Sequence, residues 1–506
     1  MHSHPSVFLR GIRQHLVPRG HARLAAGDLI EGITLLRSSE LLANLEFRHV
    51  SMPGLLAQYR PYQAALLEEF IVTLVELGVE VPAEVSRSLA LVREKDAVSE
   101  EEALAHYEQL LSAQSQCIFA LQCNAGNRND LSVSAMAQEL IQKACMLQLD
   151  ILQARQDALD AIRSDSAVAS DVDEAFPAPE IITRYLRDCF PKLPEIAVTE
   201  VRQLKGVNTK EVFFLQLTGH PDWPQEAVMR RNREIDTVGN AVSSEFSILE
   251  YLHRSGLPVP RPLFAGEDIG DQNRPFVVME RLPGRSLTVA ELGVAASDVF
   301  HDLAMNLALL HQADVSEIGE EYRLYGAVPR ERTLKMIDRF YTLWKKNKVE
   351  SSIILESAYA WLRDNVNVVD DTLSIVHADY NLRNNLVHNG RIVGILDWEL
   401  CHEGHPAEDL GYVRPQVEEV MPWSEFMKIY LDHGGPNVTD EQIRYFQIYG
   451  LTFGTSSIFP AYNGYIKGEH SDLLIGAAGT IEWGELEPQL ASLLLAEYGR
   501  KTPRAQ

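Results

Sequence analysis

The spacing of apolar residues divides the chain into a long helical part and a mixed part. Up to about residue 163, apolar residues recur every three to four positions in runs such as YQAALLEEFIVTLVELG and EEALAHYEQLLSAQSQCIFALQ, the spacing of one face of a helix. Residues 164–180, SDSAVASDVDEAFPAPE, lack this period and are rich in small, acidic and proline residues, as linkers are. The pattern predicts an all-α helical bundle over 1–163 and a linker over 164–180.

After the linker the pattern changes to strands and then returns to helices. Between residues 181 and 284, runs such as EVFFLQLTG, EAVMRR and PFVVMERL predict strands around one helix in IDTVGNAVSSEFSILEYLHRSG. Over 285–506 most apolar runs are helical, interrupted by NLVHNGRIVGILDW, whose Asn389-Gly390 favours a two-residue hairpin turn. The second part is therefore predicted to be α+β: a small sheet with one helix, then a mostly helical region.

Charge and length narrow the classes of protein that fit this pattern. A chain of 506 residues is long enough for two to four domains. With Lys+Arg 46 and Asp+Glu 71, its formal charge of -25 repels polyanions. We therefore expect neither nucleic acid nor an anionic membrane as a partner. Residues 181–290 carry 14 basic and 14 acidic residues, so this segment would least repel an anionic ligand.

The sequence shows no sign of secretion or membrane insertion. No apolar stretch approaches the roughly 18 residues of a membrane span, and the first twenty residues lack the apolar core of a secretory signal. The five cysteines have no CxxC spacing, which suits reduced thiols rather than a disulfide framework. We expect a cytoplasmic protein.

Residues 374–411, SIVHADYNLRNNLVHNGRIVGILDWELCHEGHPAEDLG, contain the candidate chemistry. A strand-like SIV leads to His377, Asp379 and Asn384, and the hairpin then returns the chain to Asp397 at the end of the apolar GIL. Phosphoryl transfer needs such a set, because one Asp accepts or orients the attacking hydroxyl while an Asn and a second Asp bind Mg²⁺ at the phosphates. Asp379 fits the first role, and Asn384 and Asp397 fit the second. Each piece alone is common, but their joint order and spacing indicate phosphoryl transfer.

These motifs resemble the aminoglycoside phosphotransferase family, relatives of protein kinases that phosphorylate small molecules. HADYNLRNNL, LDWEL and GHPAEDL match the family's catalytic loop, metal-binding strand and following segment in order. The resemblance covers roughly residues 178–500. It implies a bilobal protein-kinase-like fold, with a nucleotide-binding lobe at 181–284 and a catalytic, substrate-binding lobe at 285–506. It also implies transfer from ATP, with Mg²⁺, to a hydroxyl of a small molecule.

The resemblance implies nucleotide-binding residues upstream of the catalytic loop. RQLKGVNTKEVFFLQL fits the nucleotide-covering loop, with Gly206 and Asn208 at its turn. Arg230 stands where kinases usually have a Lys, and Glu245 in the next helix is placed to pair with it. Arg keeps the charge but is longer and planar. The branch of the family associated with acyl-CoA dehydrogenases also has Arg at this position.

Other matches are expected to support the site. Met279 and Glu280 match the hinge whose main chain would meet the adenine, and Asp409 matches the Asp that hydrogen-bonds back to the catalytic loop. Glu399 is either a second carboxylate near the metal or a solvated side chain. Arg383 lies two positions after the residue that is basic in the acyl-CoA dehydrogenase-associated branch. From there it would contact the transferred phosphate, contact an anionic acceptor or form a salt bridge.

The stretch CHEGH differs from the family pattern. The family usually has a GDP triplet where this chain has Gly404-His405-Pro406. Cys401, His402 and His405 lie close together, but the second half of a zinc-ligand pattern is missing nearby. We therefore interpret CHEGH as the activation-segment loop rather than a zinc site.

Three functions remain open from the sequence. A kinase for a hydroxyacyl-CoA or related hydroxy acid is favoured, because the Arg230 strand, PVPRP and DWE most resemble the acyl-CoA dehydrogenase-associated branch. An aminoglycoside or choline-type amino alcohol is the second candidate acceptor, and the acidic region after residue 290 would suit such a cation. The third is a kinase-like scaffold that works through the bundle at 1–163, which could also form a homodimer or bind a partner protein.

Overall fold

The computed structural model describes most of the chain after residue 51. The described residues are 52–94, 100–125, 131–163, 178–204, 210–232, 242–269, 274–323, 328–348, 351–467 and 473–501. Their helices are α1 (Met52–Glu76), α2 (Ala83–Glu94), α3 (Glu100–Ala125), α4 (Leu131–Arg163), α5 (Pro179–Cys189), α6 (Glu245–Arg254), α7 (Val289–Leu292), α8 (Ala296–Gln312), α9 (Pro329–Asn347), α10 (Ile353–Asn365), α11 (Ala407–Glu418), α12 (Trp423–Asp432), α13 (Asp440–Lys467) and α14 (Leu473–Lys501). Their strands are β1 (Ala197–Leu204), β2 (Lys210–Thr218), β3 (Glu226–Asn232), β4 (Pro262–Gly266), β5 (Phe276–Glu280), β6 (Ser374–Val376), β7 (Asn385–His388), β8 (Arg391–Ile395) and β9 (His402–Gly404).

The chain forms two compact units, each built from separate stretches of sequence. The first unit contains the described residues of Met1–Asp171 together with Ile337–Asn365 and Leu451–Gln506, and the second contains Val172–Met336 and Val366–Gly450. Within the first unit, α10 packs on α3 and α4, and α14 packs on α4 and α10. The domain boundaries proposed from the sequence run linearly along the chain and stay predictions.

The described residues of 52–163 form the four helices α1 to α4, with a turn and loop over residues 77–82 between the first two, as the apolar spacing predicts. On α1, Leu67, Phe70 and Leu74 follow a three- and four-residue spacing and are completely buried, so they form one continuous apolar face. The part of the predicted bundle before residue 52 lies outside the described residues. Among the helices that are described, none combines the length and the apolar character needed to cross a bilayer.

The second unit begins with a five-stranded antiparallel sheet in the order β1-β2-β3-β5-β4. Alternate residues of β2, Phe213, Leu215 and Leu217, are buried in its core, as a strand with one covered face requires. The sequence analysis does not predict α5, which begins at Pro179 and packs against β1. Its short apolar stripe joins the same core. The α+β class is confirmed.

Two short strand pairs shape the region after α10. The predicted hairpin is confirmed: β7 pairs with β8, and Asn389 and Gly390 at its turn have φ values of 50° and 73°, as a two-residue turn matching the strand twist requires. The segment interpreted as a loop contains β9, which pairs with β6. His402–Gly404 is buried, so its main chain needs hydrogen-bond partners, and pairing with β6 provides them.

Candidate active site

The catalytic loop, defined here as residues 377–384, follows β6 and holds the carboxylate of Asp379 in a fixed position. Asn381 Nδ2 donates to Asp379 Oδ1 at 2.9 Å, and Asn384 Nδ2 donates to Oδ2 at 2.6 Å. The Tyr412 hydroxyl also hydrogen-bonds to this carboxylate. Burial raises the pKa of Asp379; the Tyr412 bond, the neighbouring His377 and Asn384 oppose this, and Asp397 adds to it. The result is an oriented acceptor with more affinity for a proton than an exposed Asp.

His377 connects the catalytic loop to the strand that leads to Asp397. Its Nε2 lies 2.8 Å from the Leu396 carbonyl oxygen, and Asp379 N lies 3.2 Å from its Nδ1. Because a carbonyl can only accept and a main-chain N–H can only donate, the proton belongs on Nε2. Leu396 N also donates to Asn384 O at 2.8 Å. The two segments that carry Asp379 and Asp397 are thus joined by two hydrogen bonds.

Asp409, near the start of α11, fixes the main chain of the catalytic loop. Its two carboxylate oxygens accept hydrogen bonds from His377 N and Ala378 N, both at 2.8 Å, and His311 Nε2 lies 3.1 Å from Oδ2. Burial tends to raise the pKa of Asp409, but the hydrogen bonds from His311 and His377, together with the electrostatic interaction with both residues, outweigh it and lower the pKa. These bonds hold Ala378 at a φ of 64°, a left-handed conformation that normally favours glycine.

Five buried or half-buried charged side chains form a second group beside the loop, which we call the charge cluster: Lys210, Arg230, Glu245, Asp397 and Glu399. Arg230 lies at its centre, with Nη1 2.6 Å from Glu245 Oε2 and Nη2 2.7 Å from Asp397 Oδ1. Its Nη2 is also 3.9 Å from Glu399 Oε2, which Lys210 Nζ approaches at 3.6 Å. Two cations therefore hold three carboxylates.

Burial has a clear effect on Glu245 within the charge cluster. It raises the pKa of Glu245 to about 7; Arg230 and Lys210 act in the opposite direction, while Asp397 and Glu399 add to the rise. For Arg230, burial tends to lower the pKa, but the three surrounding carboxylates outweigh it and raise the pKa. The guanidinium therefore stays charged, and the raised pKa of Glu245 lies close to neutral pH.

Asp397 follows β8 with a φ of 70°, a left-handed conformation, and its side chain is 31% exposed. Asn384 is hydrogen-bonded through its Nδ2, so its amide oxygen remains available as an acceptor. One carboxylate and one amide oxygen fit Mg²⁺, which usually takes one or two protein ligands and completes its shell with water and phosphate oxygens. Among the described residues, no group of three His, Cys, Asp or Glu side chains is placed to hold a metal ion.

Not every residue predicted for the site joins these two groups. Met279 and Glu280 end β5, where Met279 is buried and Glu280 N donates to Arg261 O at 2.9 Å. The Arg383 side chain is exposed, and within the described chain it forms no ion pair. The positions predicted for the turn of the nucleotide-covering loop, Gly206 and Asn208, lie outside the described residues.

The histidines of CHEGH have separate structural partners. His405 Nδ1 accepts a hydrogen bond from Ala407 N at 3.1 Å, its Nε2 lies 3.1 Å from Asp370 Oδ1, and its ring stacks on Phe446. His405 thus provides an acceptor at the start of α11, as an Asp would at this position. His402 Nδ1 instead lies 2.8 Å from Leu400 O.

The sequence analysis missed three residues that contact the site: Lys210, Asn381 and Tyr412. Tyr412 follows Asp409 by three positions on α11, a spacing that places both on one helix face. Asn381 lies two positions after Asp379, where an Asn commonly bonds to nearby backbone. Lys210 is a charged residue at the first position of a strand whose apolar residues are buried. The spacings of Asn381 and Tyr412 can be read from the sequence, whereas the contacts that bring Lys210 and Tyr412 to the site depend on tertiary packing.

Comparison with known proteins agrees with the sequence-derived resemblance. Residues 200–441 match the phosphotransferase enzyme family. Acyl-CoA dehydrogenase family member 11 from Gallus gallus is 28% identical over 242 residues, which are 46% of this chain and 30% of that protein. Aminoglycoside 3'-phosphotransferase from Streptomyces fradiae is 25% identical over 255 residues, 47% of this chain and 89% of that protein. The chain thus matches less than a third of the length of the first relative.

Solved structures with a similar chain path are more distant in sequence. An aminoglycoside phosphotransferase in a ternary complex with AMP-PNP and hygromycin B has a TM-score of 0.45 and 15% identity, covering 63% of this chain and 99% of that one. A macrolide 2'-phosphotransferase from Brachybacterium faecium has a TM-score of 0.40 and 17% identity, covering 59% of this chain and 97% of that one. Neither likeness informs the choice of substrate.

Proposed function

We propose that this chain, whose residues 200–441 match the phosphotransferase enzyme family, transfers the γ-phosphate of ATP to a hydroxyl group of a hydroxyacyl-CoA or related hydroxy acid. One observation carries the proposal: Asp379 is oriented by the amides of Asn381 and Asn384 beside Asp397. Phosphoryl transfer depends mainly on such positioning and on charge stabilisation.

In the proposed reaction, Asp379 orients the acceptor hydroxyl and takes its proton. The hydroxyl oxygen forms a bond to the γ-phosphorus, the bond from that phosphorus to the β–γ bridging oxygen breaks, and ADP leaves. The raised pKa of Asp379 suits it to hold that proton. Asn381 and Asn384 keep the two carboxylate oxygens of Asp379 oriented during the transfer through their amide hydrogen bonds. Asp409 fixes the main chain of the catalytic loop by accepting a hydrogen bond from Ala378 N.

The charge cluster is proposed to bind the phosphates. Asn384 and Asp397 would hold Mg²⁺, which when bound neutralises phosphate charge. Arg230 forms ion pairs with Glu245, Asp397 and Glu399, and we propose that it contacts the phosphates through the same guanidinium. The main chain at Met279 and Glu280 is proposed to meet the adenine, and the loop at Gly206 and Asn208 to cover the phosphates.

The proposed acceptor is supported by sequence relatives. Relatives with acyl-CoA dehydrogenase in their names match 46% and 34% of this chain. The motifs at the Arg230 strand, PVPRP and DWE resemble the same branch of the family. An aminoglycoside or choline-type amino alcohol is the second candidate, supported by the relative from Streptomyces fradiae. A kinase-like scaffold acting through the N-terminal helices remains the alternative of another class. A cytoplasmic location and a homodimer or partner protein stay predictions.

An ADP-release assay tests the proposal. The unmutated chain, given Mg-ATP and a panel of hydroxyacyl-CoAs, hydroxy acids, choline and aminoglycosides, is expected to release ADP with a hydroxyacyl-CoA or hydroxy acid. Asp379→Asn should abolish this turnover but still bind nucleotide, because it removes only the carboxylate that accepts the proton of the acceptor hydroxyl. Asp371→Asn, a change at a nearby exposed carboxylate, is the matched control and should retain activity.

The same variants separate the alternatives. ADP release only with amino alcohols would replace the proposed acceptor, and retained turnover in Asp379→Asn would contradict the role of that residue. Mg-ATP is expected to raise the melting temperature of the unmutated chain, and a further variant, Asp397→Ala, should abolish this rise. If Mg-ATP does not raise the melting temperature of the unmutated chain, the scaffold alternative is favoured. An equal rise in Asp397→Ala would contradict the metal-binding role proposed for Asp397.

A further inference from the structure

The first compact unit contains a cavity whose size and lining suit a small ligand. Its volume is about 410 Å³, within the range of small-molecule sites in proteins. One side is formed by Ser112, Ser115 and Gln116 of α3, and the other includes Lys345 of α9 and Lys348, which directly follows the last residue of that helix. The cavity is distinct from the catalytic loop and the charge cluster, which belong to the second unit.

Lys348 places a positive charge beside this cavity without a carboxylate at ion-pair distance in the described part of the chain. Its Nζ donates to Ser351 Oγ at 3.2 Å and lies 6.0 Å from the centre of the Trp344 ring. Its side chain is half-buried. Burial lowers the pKa of Lys348 and Lys345 adds to this, while Glu356 and Glu108 act in the opposite direction from greater distance. A close anion would stabilise this charge.

The second lysine at the cavity is already paired. Lys345 Nζ lies 2.6 Å from Glu356 Oε1, and the Tyr341 hydroxyl donates to Glu356 Oε2 at 3.0 Å. Glu356 is buried, so this arrangement fixes its carboxylate on the wall. Counted over the residues that line the cavity, two lysines and one glutamate leave a single positive charge.

Ser115 supplies an independent observation on the opposite wall. It is 4% exposed, and its Oγ has no hydrogen-bond partner within the described residues. A buried hydroxyl without a partner is costly, so such groups are normally satisfied by protein, water or ligand. A hydroxyl can donate to an anionic oxygen, which makes Ser115 chemically complementary to the ligand that Lys348 would attract.

We propose that this cavity binds a small organic molecule bearing a single oxyanion group, a carboxylate or a phosphate. Lys348 provides the counter-charge, and the Ser115 hydroxyl donates a hydrogen bond. The paired Glu356 limits the number of negative charges that the site accepts. Since the walls come from α3 and from the end of α9, the ligand would connect the N-terminal helices to a segment more than two hundred residues later in the chain.

The test uses the full chain and two probes, inorganic phosphate and succinate, titrated by calorimetry with melting temperature as a second readout. We expect saturable binding of at least one probe. Lys348→Met should weaken it about tenfold or more, because a charge-assisted hydrogen bond is lost. Lys346→Met, which changes an exposed lysine two positions before Lys348, should bind like the unmutated chain and controls for overall charge.

Ser115→Ala provides a second variant that removes only the hydroxyl. It should keep the fold and weaken the same probe several-fold. Binding of phosphate alone or succinate alone would identify the type of oxyanion. The proposal is overturned if neither probe binds saturably, or if Lys348→Met and Ser115→Ala both bind as tightly as Lys346→Met. A loss that Lys346→Met shares equally would also contradict it.

Discussion

The charge cluster and the catalytic loop lie side by side but are held by different interactions. In the cluster, Arg230 holds Glu245 and Asp397 through ion pairs. In the loop, Asp379 is oriented by neutral amides, and the main chain is fixed by Asp409. Ion pairs can exchange one partner for another of the same sign, so Asp397 could trade Arg230 for a metal ion. Main-chain hydrogen bonds instead impose a single geometry. The charge cluster therefore supplies charges that can change partners, whereas the catalytic loop holds Asp379 in one position.

Removing the central cation should produce the largest effect. Arg230→Met leaves Glu245 buried with fewer counter-charges, and breaking such a pair costs about 3–5 kcal/mol. The loss of unfolding free energy, measured by urea denaturation, should be greatest above about pH 7 and smaller at pH 5–6, where Glu245 takes up a proton. Arg281→Met, which breaks the exposed pair with Glu226, should cost below about 1 kcal/mol. Equal costs for both variants would remove the distinction between the cluster and an ordinary surface.

Removing the support of the catalytic loop should have the next largest effect. Asp409→Asn replaces a carboxylate that accepts two main-chain hydrogen bonds, and losing a bond to a charged group costs about 1.5–3 kcal/mol. The folded chain lowers the pKa of Asp409, so its contribution is present above the unfolded pKa, near 4, and is lost as pH falls through the lowered value. Denaturation from pH 7 down to pH 3 should therefore show a flatter profile in the variant. An unchanged slope would contradict this.

Removing a hydrogen bond to Asp379, the proposed base, should have a smaller effect that is confined to the pH dependence of activity. Tyr412→Phe removes a hydrogen bond that stabilises ionised Asp379, so the pKa of Asp379 should rise by at most about one unit, equivalent to ~1 kcal/mol. Because the base acts when ionised, the acidic limb of the kcat/KM profile should move to higher pH with the acceptor identified in the panel. Tyr251→Phe, outside the site, should leave the limb in place. A uniform loss at every pH would assign Tyr412 a purely structural role.

The smallest effect should come from backbone strain in the loop. Ala378→Gly relieves a left-handed φ of 64° and is expected to change stability by less than about 1 kcal/mol, in the stabilising direction. Ala308→Gly, within α8, should destabilise by about 1 kcal/mol, because glycine is unfavourable in a helix interior. Thermal and urea unfolding of both variants would measure the contrast. A loss at residue 378 equal to that at 308 would show that strain contributes nothing.

The sequence predicts which motif residues form the site and their order along the chain, but only part of the side-chain contacts between them. The spacing of Asp379, Asn384 and Asp397 follows from a loop and a hairpin, and both are local structures with strong sequence signals. Tyr412 and Lys210 reach the site from a helix and a strand that the motifs do not describe, so their roles depend on tertiary packing. His405 was recognised as a departure, but its bond to Ala407 N required coordinates.

Helical periodicity also has a limit in the first unit. The spacing of Leu67, Phe70 and Leu74 predicts that α1 has an apolar face, but not what covers that face. The grouping of α10 and α14 with the early helices depends on contacts between segments far apart in sequence. Such contacts leave no periodic signal, which is why a linear domain division was the natural prediction.

The discontinuous first unit has a consequence for synthesis of the protein. Its early helices end at Arg163, whereas its last segment begins at Leu451. At ~5–20 residues per second, the ribosome needs roughly 15–60 s to make the residues between them. During that interval the early helices lack α14, and until residue 365 has been made they also lack α10; both helices cover them in the finished chain. Chaperone binding to nascent chains shorter than about 450 residues should therefore be stronger than binding to the full-length product.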